Sequence, residues 1–249
     1  MRIIAKLDIK NNFVIKGINF EGLRKIGTPR ELVKKYYIDG ADEIIYQDCV
    51  ASLYQRNSLI ELIKETSENV FIPLTVGGGI RSLEDVNKLF KNGADKIFIN
   101  SFGFENKKIF SSLVDKYGSQ SIMLSIEAKK IERNKWLAYK NYGRDNTQIE
   151  VIEWIKEIID YGVGEILIAS IDHDGLKKGF DLELYNKVSK ICSVPIIASG
   201  GYGNVDHIID LKKFTNIEAV TLSSTIHYNL ESIKKIKINL REKNIDVRL

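Results

Sequence analysis

The chain has 249 residues, of which 44% are hydrophobic and 28% are charged, a composition ordinary for a globular protein and unlike that of a disordered or fibrous chain. Its net charge of +4 is too small to indicate nucleic-acid binding, and no basic cluster is interleaved with aromatic residues. Two cysteines, Cys49 and Cys192, are too few for a disulfide-rich secreted scaffold.

The N-terminal residues Met1–Lys6 lead directly into an apolar strand pattern, so we predict no signal peptide. No apolar run approaches the roughly 18 residues that a membrane span needs. We therefore expect a cytoplasmic protein that does not contact a membrane. The histidines His173, His207 and His227 lack the spacing of metal ligands, so we predict no metal site and no cofactor.

Short apolar runs recur along the chain and alternate with amphipathic stretches. The runs are rich in β-branched residues and continuous, as is typical of strands that are buried on both faces. Thr28-Pro29-Arg30-Glu31 and Ser82-Leu83-Glu84-Asp85 each combine an N-cap residue with an early acid, which predicts that a helix begins there. The eight predicted strands are Ile3–Leu7, Glu43–Tyr46, Val70–Val76, Lys96–Asn100, Ser121–Ile126, Glu165–Ala169, Val194–Ala198 and Ala219–Leu222.

This alternation of strands and helices predicts a parallel sheet. Eight βα units in about 250 residues favour a closed (β/α)₈ barrel, or TIM barrel, over an open doubly wound sheet. No linker or low-complexity segment divides the chain, so we predict one α/β domain over residues 1–249.

An internal repeat indicates that the barrel consists of two duplicated (βα)₄ halves. Val76–Gly79 recurs as Ala198–Gly201, and each follows a strand that holds an apolar-proline step. The distance from Gly77 to Ser101 is 24 positions and equals the distance from Gly200 to Ser224. The offset between the halves stays near 120 residues, and a repeat of that size determines the architecture.

The repeated glycines indicate phosphate binding. Paired glycines after a strand let the backbone approach a ligand, and the N–H groups of the following helix attract an anion. The alternative is that these glycines only form the βα turns, but the duplication favours two phosphate cradles, which fit a substrate with a phosphate at each end. The candidate residues are Gly78, Gly79, Asn100 and Ser101 in the first half, and Ser199, Gly200, Gly201, Ser223 and Ser224 in the second.

Acidic residues end several of the predicted strands. Asp8 and Glu127 end strands one and five, which are opposite in a barrel, so they can act as separate general acid and general base. The alternative is that one of them caps a helix or forms a salt bridge to Lys10, Lys16 or Lys129. Asp48 and Asp172 form a second matched pair, and we expect them to orient either substrate hydroxyls or the hydrogen-bond network at the mouth of the barrel.

Two long segments, Lys10–Gly27 and Lys130–Gln148, follow strands one and five and are candidate lids. Trp136, Tyr139 and Tyr142 in the second segment either stack on a planar ligand or pack the loop. Cys49 has no recognisable histidine partner, which argues against a catalytic nucleophile.

Taken together, the motifs resemble those of the cyclase subunit family of imidazole glycerol phosphate synthase, from histidine biosynthesis. The resemblance covers nearly the whole chain. The segments that carry it are Leu7–Lys10, Val14–Phe20, Ile72–Ser82, Gly93–Lys96, Gly118–Gln120, Asp172–Gly175 and Ile197–Gly201.

The resemblance implies a heterodimer with a glutaminase that docks at the N-terminal face of the barrel and supplies ammonia along its axis. The ammonia would react with a bisphosphorylated formimino ribotide, giving imidazole glycerol phosphate and aminoimidazole carboxamide ribotide. Asp8 and Glu127 fall on the two catalytic positions, and Lys16, Asp174 and Gly175 on the substrate site. An ammonia gate, for which a purely stabilising ring is the alternative, falls on Arg2, Glu43, Lys96 and Glu165.

Some residues near the predicted chemistry depart from the family pattern. Glu127 stands where the family has Asp, Lys6 where it usually has Cys, Ala169 where it has Thr, and Gln47 where it has an apolar residue. Three functions therefore remain open. They are the histidine-pathway cyclase, an ammonia-using paralogue acting on a sugar-derived substrate for amidino or amino sugars of surface glycans, and a non-catalytic phosphate-binding partner of a glutaminase.

Overall fold

The computed structural model describes residues 1–51 and 59–249. Within them, the strands are β1 (Arg2–Lys10), β2 (Phe13–Ile18), β3 (Glu21–Gly27), β4 (Glu43–Asp48), β5 (Leu74–Gly77), β6 (Lys96–Ile99), β7 (Ile122–Glu132), β8 (Lys135–Lys140), β9 (Asp145–Glu150), β10 (Glu165–Ser170), β11 (Ile196–Ser199) and β12 (Ala219–Leu222). The helices are α1 (Pro29–Ile38), α2 (Ile60–Asn69), α3 (Leu83–Lys91), α4 (Ser101–Glu105), α5 (Lys108–Tyr117), α6 (Val151–Ile159), α7 (Leu182–Ser189), α8 (Val205–Phe214), α9 (Ser224–His227) and α10 (Ile233–Glu242).

Eight of these strands form a closed parallel barrel. The order around it is β1, β4, β5, β6, β7, β10, β11 and β12, and β12 pairs with β1 to close the ring. Helices follow the strands on the outside. The predicted (β/α)₈ barrel is therefore confirmed, and β1 stands opposite β7 across it.

The inner face of the barrel is divided into layers because successive side chains of a strand point to opposite faces. Ile3, Ala5 and Leu7 of β1 belong to the large core between the strands and helices. Ile4 instead joins the cluster that fills the middle of the barrel. Arg2, below Ile4, and Lys6 and Asp8, above it, share this inner face.

Two predicted strands begin later than expected, and proline is the reason. Val70–Val76 is a strand only over Leu74–Gly77, and Val194–Ala198 only over Ile196–Ser199. Pro73 and Pro195 have no N–H with which to enter the ladder, although their carbonyls accept hydrogen bonds from Ile44 and Ile166.

The two long segments form antiparallel hairpins rather than loose loops. β2 pairs with both β1 and β3, and β8 pairs with both β7 and β9. Because each hairpin follows the first strand of a half-barrel, they are part of the duplication. The predicted Ser121–Ile126 strand correspondingly runs on to Glu132 as the base of the second hairpin.

The predicted helix starts at Thr28 and Ser82 are confirmed. The Thr28 hydroxyl accepts from the amide of Glu31 at 3.4 Å, and the Ser82 hydroxyl from that of Asp85 at 3.1 Å. In the part of the chain that the structure describes, no helix is long and apolar enough to cross a membrane.

Candidate functional site

Asp8 lies at the carboxyl end of β1, inside the barrel mouth, and is only 1% exposed. Its Oδ1 pairs with the ammonium of Lys6, and its Oδ2 accepts a hydrogen bond from the Tyr142 hydroxyl at 3.0 Å. The Lys16 ammonium is 4.0 Å from Oδ2. The predicted alternative of a salt bridge at Asp8 is thus present, but Lys6 supplies the closer partner.

Glu127 lies at the same level on β7, is 2% exposed and has neutral partners. Its Oε2 accepts a hydrogen bond from the backbone amide of Gly143 at 2.8 Å, and its Oε1 one from the Gln47 amide at 3.3 Å. The two carboxylates therefore share the mouth of the barrel but stand in different electrostatic surroundings.

These surroundings move the two pKa values in opposite directions. Burial tends to raise the pKa of Asp8, but the positive charges of Lys6 and Lys16 outweigh it and hold that pKa below its ordinary value. Burial raises the pKa of Glu127 to about 7, because the Gly143 amide and the Lys6 charge offset only part of the desolvation. At neutral pH, Asp8 is ionised while Glu127 is near its midpoint.

The first predicted cradle lines a cavity of about 140 Å³ between β4 and β7. Asn100 donates from Nδ2 to the carbonyl of Tyr139 at 3.2 Å, and its buried Oδ1 has no partner among the described residues. The hydroxyl of Ser101 accepts from the amide of Asn141 at 3.0 Å. Asp48, Gly78, Gly79, Asn100, Ser101 and Glu127 all line this cavity.

The second predicted cradle lines a smaller cavity of about 20 Å³ on the opposite side of the mouth. Lys16 binds both oxygens of Asp174, at 2.7 and 2.5 Å, and Lys6 reaches the same cavity. The Ser223 hydroxyl donates to the carbonyl of Lys6 at 2.8 Å. Lys16, Asp174, Gly175, Ser199, Gly200, Gly201, Ser223 and Ser224 all line this cavity.

The backbone geometry of these turns requires glycine, whether or not a ligand binds there. Gly78 and Gly201 have φ of +103° and +109°, values that L side chains rarely adopt. A Cβ on Gly78 would lie 2.3 Å from the carbonyl oxygen of Asp48, and one on Gly201 would lie 2.0 Å from that of Gly179. The turn-forming role is therefore real, and it does not conflict with close approach to a phosphate.

The second pair of matched acids has structural contacts. Asp48 accepts from the amides of Val50 and Ala51 at 3.0 and 2.9 Å, and so fixes the turn after β4. Asp172 accepts from the backbone amide of Lys130 at 2.7 Å, which ties the loop after β10 to the second hairpin. Asp48 lines the first cavity, whereas Asp172 faces the hairpin.

The opposite, N-terminal end of the barrel contains the four predicted gate residues in one ion-pair ring. Arg2 bonds Glu43 at 3.1 Å and also pairs with Glu165. Lys96 bonds Glu43 at 3.3 Å and Glu165 at 3.0 Å. Each charge of the ring thus contacts two charges of opposite sign.

Sequence reasoning missed how the second hairpin reaches the acids. The turn between β8 and β9 brings the Tyr142 hydroxyl to Asp8 and the Gly143 amide to Glu127. The Tyr142 ring stacks on Phe20 at 4.6 Å, so this hairpin also contacts the first one. Trp136 has a packing role, since its buried indole donates to Asp181 at 2.9 Å.

The structure also argues against Cys49 as a nucleophile. Its thiol is buried and donates to the carbonyl of Gln47 at 3.5 Å, and burial raises its pKa well above the ordinary value. A protonated thiol is a weak nucleophile.

Two ionisable side chains at the carboxyl ends of opposed strands, with a cavity beside each, are the arrangement of a (β/α)₈-barrel enzyme. The sequence profile of the histidine biosynthesis protein family matches residues 2–231. The chain therefore belongs to that family.

Named relatives align along the entire chain. The protein named imidazole glycerol phosphate synthase subunit HisF in Bacillus cereus strain G9842 is 44% identical over 248 residues, which covers 100% of this chain and 98% of the relative. Proteins of the same name in strains Q1 and ATCC 10987 are 44% and 43% identical over the same lengths.

Proposed function

We propose that this protein is the cyclase subunit of imidazole glycerol phosphate synthase. It uses ammonia to convert a bisphosphorylated formimino ribotide into imidazole glycerol phosphate and aminoimidazole carboxamide ribotide. The observation that carries the proposal is the pair of buried acids, Asp8 and Glu127, on opposed strands between two glycine-turn cavities. The full-length identity to proteins named as subunits of this synthase supports it.

The site residues divide into three groups with separate roles. Asp8 and Glu127 transfer or stabilise the proton and charge in the ring-forming steps. Each glycine turn, with the short helix that begins at Ser101 or Ser224, offers backbone N–H groups to one phosphate of the substrate. Lys16 and Asp174 lie beside the second phosphate, and Asn100 presents its buried oxygen to a hydroxyl or N–H donor.

The ring of Arg2, Glu43, Lys96 and Glu165 is the ammonia gate of this proposal. It closes the barrel at the end opposite the acids, so ammonia from a partner has to pass it to reach them along the axis. The partner is a glutaminase subunit in a heterodimer, which agrees with the word "subunit" in the names of the relatives.

Turnover of the formimino ribotide tests the function directly. The purified chain should form imidazole glycerol phosphate with ammonium salts at alkaline pH, without a glutaminase, and its gene should rescue a histidine auxotroph that lacks this subunit. Absence of product and of rescue from well-expressed, folded protein would reject the proposal.

The alternative is the ammonia-using paralogue with a sugar-derived substrate, and it rests on two departures from the family pattern. Lys6 pairs with Asp8 inside the mouth, where the family usually has an uncharged Cys, and Glu127 carries one methylene more than the family's Asp. Both changes lie at the two acids, whereas the gate ring keeps all four of its charges. The full-length identity to synthase subunits favours the cyclase, and the rescue experiment separates the two candidates.

A further inference from the structure

Five of the ionisable groups that are buried in the mouth of the barrel are Lys6, Asp8, Lys16, Asp174 and Glu127. Lys6 is 3% exposed and forms an ion pair with Asp8 two residues further along β1. The Lys16 ammonium donates to both carboxylate oxygens of Asp174 and lies 4.0 Å from Asp8 Oδ2. These two lysines and two aspartates have no net charge as a set, and Glu127 is the fifth group.

This balance makes the ionisation of Glu127 costly. With Lys6 and Lys16 already matched by Asp8 and Asp174, a charge on Glu127 would be an excess negative charge in a desolvated site. The donors on its carboxylate, the Gln47 side chain and the Gly143 amide, are neutral. Protonation of Asp8, in contrast, would leave the buried Lys6 ammonium without its counter-charge.

The other groups around the two acids add no net positive charge to this set. The remaining charged residues that line the first cavity with Glu127 are Asp48, Arg81 and Glu105, two acids and one base. The Tyr142 hydroxyl donates to Asp8, and burial raises the pKa values of both Tyr142 and Cys49, so both stay neutral. Burial lowers the pKa of His227 to about 3, so that ring is neutral too. The polar and ionisable groups that face the two acids from β1, β2, β4, the second hairpin, the loop after β10 and α9 are Lys6, Lys16, Gln47, Asp48, Cys49, Tyr142, Asp174 and His227.

We propose that Lys6 is a positioning residue that gives the two acids different roles. It keeps Asp8 ionised, so that Glu127 is the acid that donates and accepts the proton. The inference rests on the proposed function only in calling the two acids catalytic. In a proton-transfer step the proton leaves the Glu127 carboxyl for a substrate atom, and a later step returns a proton to the same oxygen. Asp8 meanwhile supplies a fixed negative charge or accepts a substrate N–H.

The ionisation states are open to measurement in the free protein, without any substrate. We would follow the side-chain carboxyl carbons by ¹³C NMR from pH 4.5 to 8.5, with Glu127→Gln and Asp8→Asn to assign the two signals. We expect the Glu127 signal to titrate near neutrality and the Asp8 signal to stay flat over this range. A Glu127 signal that does not titrate in the wild-type protein, or an Asp8 signal that titrates near neutrality, would by itself overturn the proposal.

Variants at position 6 test the role of the lysine. Lys6→Met keeps the length of the side chain but removes its charge. Burial should then raise the pKa of Asp8, because less positive charge opposes it, and the Asp8 signal should begin to titrate between pH 4.5 and 8.5. Lys6→Arg restores the charge and should flatten the Asp8 signal again. An Asp8 signal that stays flat in folded Lys6→Met would show that Lys6 does not hold it.

A kinetic measurement adds a readout that a merely structural lysine would not move. At a fixed concentration of free ammonia, the plot of log kcat against pH should bend near neutrality for the wild type. The plot for Lys6→Met should show a second bend, which comes from the titration of Asp8. Failure of the formimino ribotide to react would concern the proposed function alone, because the NMR titration is made without substrate. An unchanged pH profile in active Lys6→Met would contradict the positioning role.

Discussion

Asp8 and Glu127 occupy matched positions in the two halves of the barrel, yet their immediate neighbours give them different properties. Asp8 has an ammonium in contact, whereas Glu127 has an amide side chain and a backbone N–H. A carboxylate loses its proton readily beside a cation and keeps it in a desolvated neutral site. Matched sequence positions therefore do not imply matched roles.

Asp8→Asn should lower ammonium-dependent kcat by about a hundredfold or more, which is the usual scale for loss of acid–base or charge catalysis. The variant also leaves Lys6 buried without its partner, a change that typically costs about 3–5 kcal/mol. Folding of the variant is therefore measured alongside its turnover. Asp210→Asn, on the exposed side of α8, serves as the control, and near-normal turnover of Asp8→Asn would remove Asp8 from the mechanism.

The raised pKa of Glu127 should also appear in the stability of the protein. The folded state holds the Glu127 proton up to a pKa of about 7, whereas the unfolded chain releases it near pH 4.3. The folded state binds more protons between these values, so this residue makes stability fall as pH rises through that window. Glu127→Gln has no such proton to release.

The free energy of unfolding of Glu127→Gln, relative to wild type, should therefore increase by roughly 3 kcal/mol between pH 4.5 and 8. Urea denaturation at several pH values measures it. Asp8 does not interfere, because its lowered pKa places its own contribution at lower pH, where stability is lost as pH falls. A difference that is independent of pH would mean that Glu127 is ionised throughout.

At the scale of elements, each glycine turn and the short helix after the following strand form one unit that occurs twice. Val substitutions at Gly78 or Gly201 cannot test phosphate binding cleanly, because a Cβ there collides with backbone oxygens. The serines that begin α4 and α9, Ser101 and Ser224, tolerate replacement by alanine without a clash and are the better probes.

Inorganic phosphate should bind the free protein at two sites, one in each half. Ser101→Ala should weaken one site by about tenfold, and Ser224→Ala the other, since a hydrogen bond to a charged group contributes about 1.5 kcal/mol or more. Calorimetry and a phosphate-soaked crystal measure this, and each variant is the control for the other. A single site, or a variant that weakens both sites together, would contradict a separate cradle in each half.

The elements of the barrel were largely predictable from sequence, whereas the contacts across its mouth were not. Continuous apolar runs predicted the eight barrel strands. Two of these strands begin later than predicted, after Pro73 and Pro195, because proline has no N–H to donate to the neighbouring strand. The hairpin that brings Tyr142 to Asp8 was expected only as a possible lid. Its position depends on contacts between residues 134 positions apart, and local patterns contain no such information.

At the scale of the whole molecule, the barrel has a charged ring at one end and the acids at the other. Lys96 bonds both glutamates of the ring, so Lys96→Leu leaves two buried carboxylates with Arg2 alone. If the ring is the entry for ammonia, this variant should impair glutamine-dependent turnover more than ammonium-dependent turnover. Both rates are measured with the glutaminase bound, and equal losses would mean that the ring only stabilises the fold.

Lys6 also has a consequence for how a substrate is oriented. In the repeat, Asp8 corresponds to Glu127, and Lys6 therefore corresponds to Ser125, which is buried and uncharged. A barrel with perfect two-fold symmetry would accept an elongated substrate equally well in either direction. Lys6 is one of the residues that remove that equivalence, because it keeps Asp8 an anion on one side of the mouth, whereas Glu127 on the other side keeps its proton up to a higher pH. Reversed binding would then present each end of an unsymmetrical molecule to the wrong carboxyl group, so the Lys6 side chain contributes to the direction in which a substrate binds.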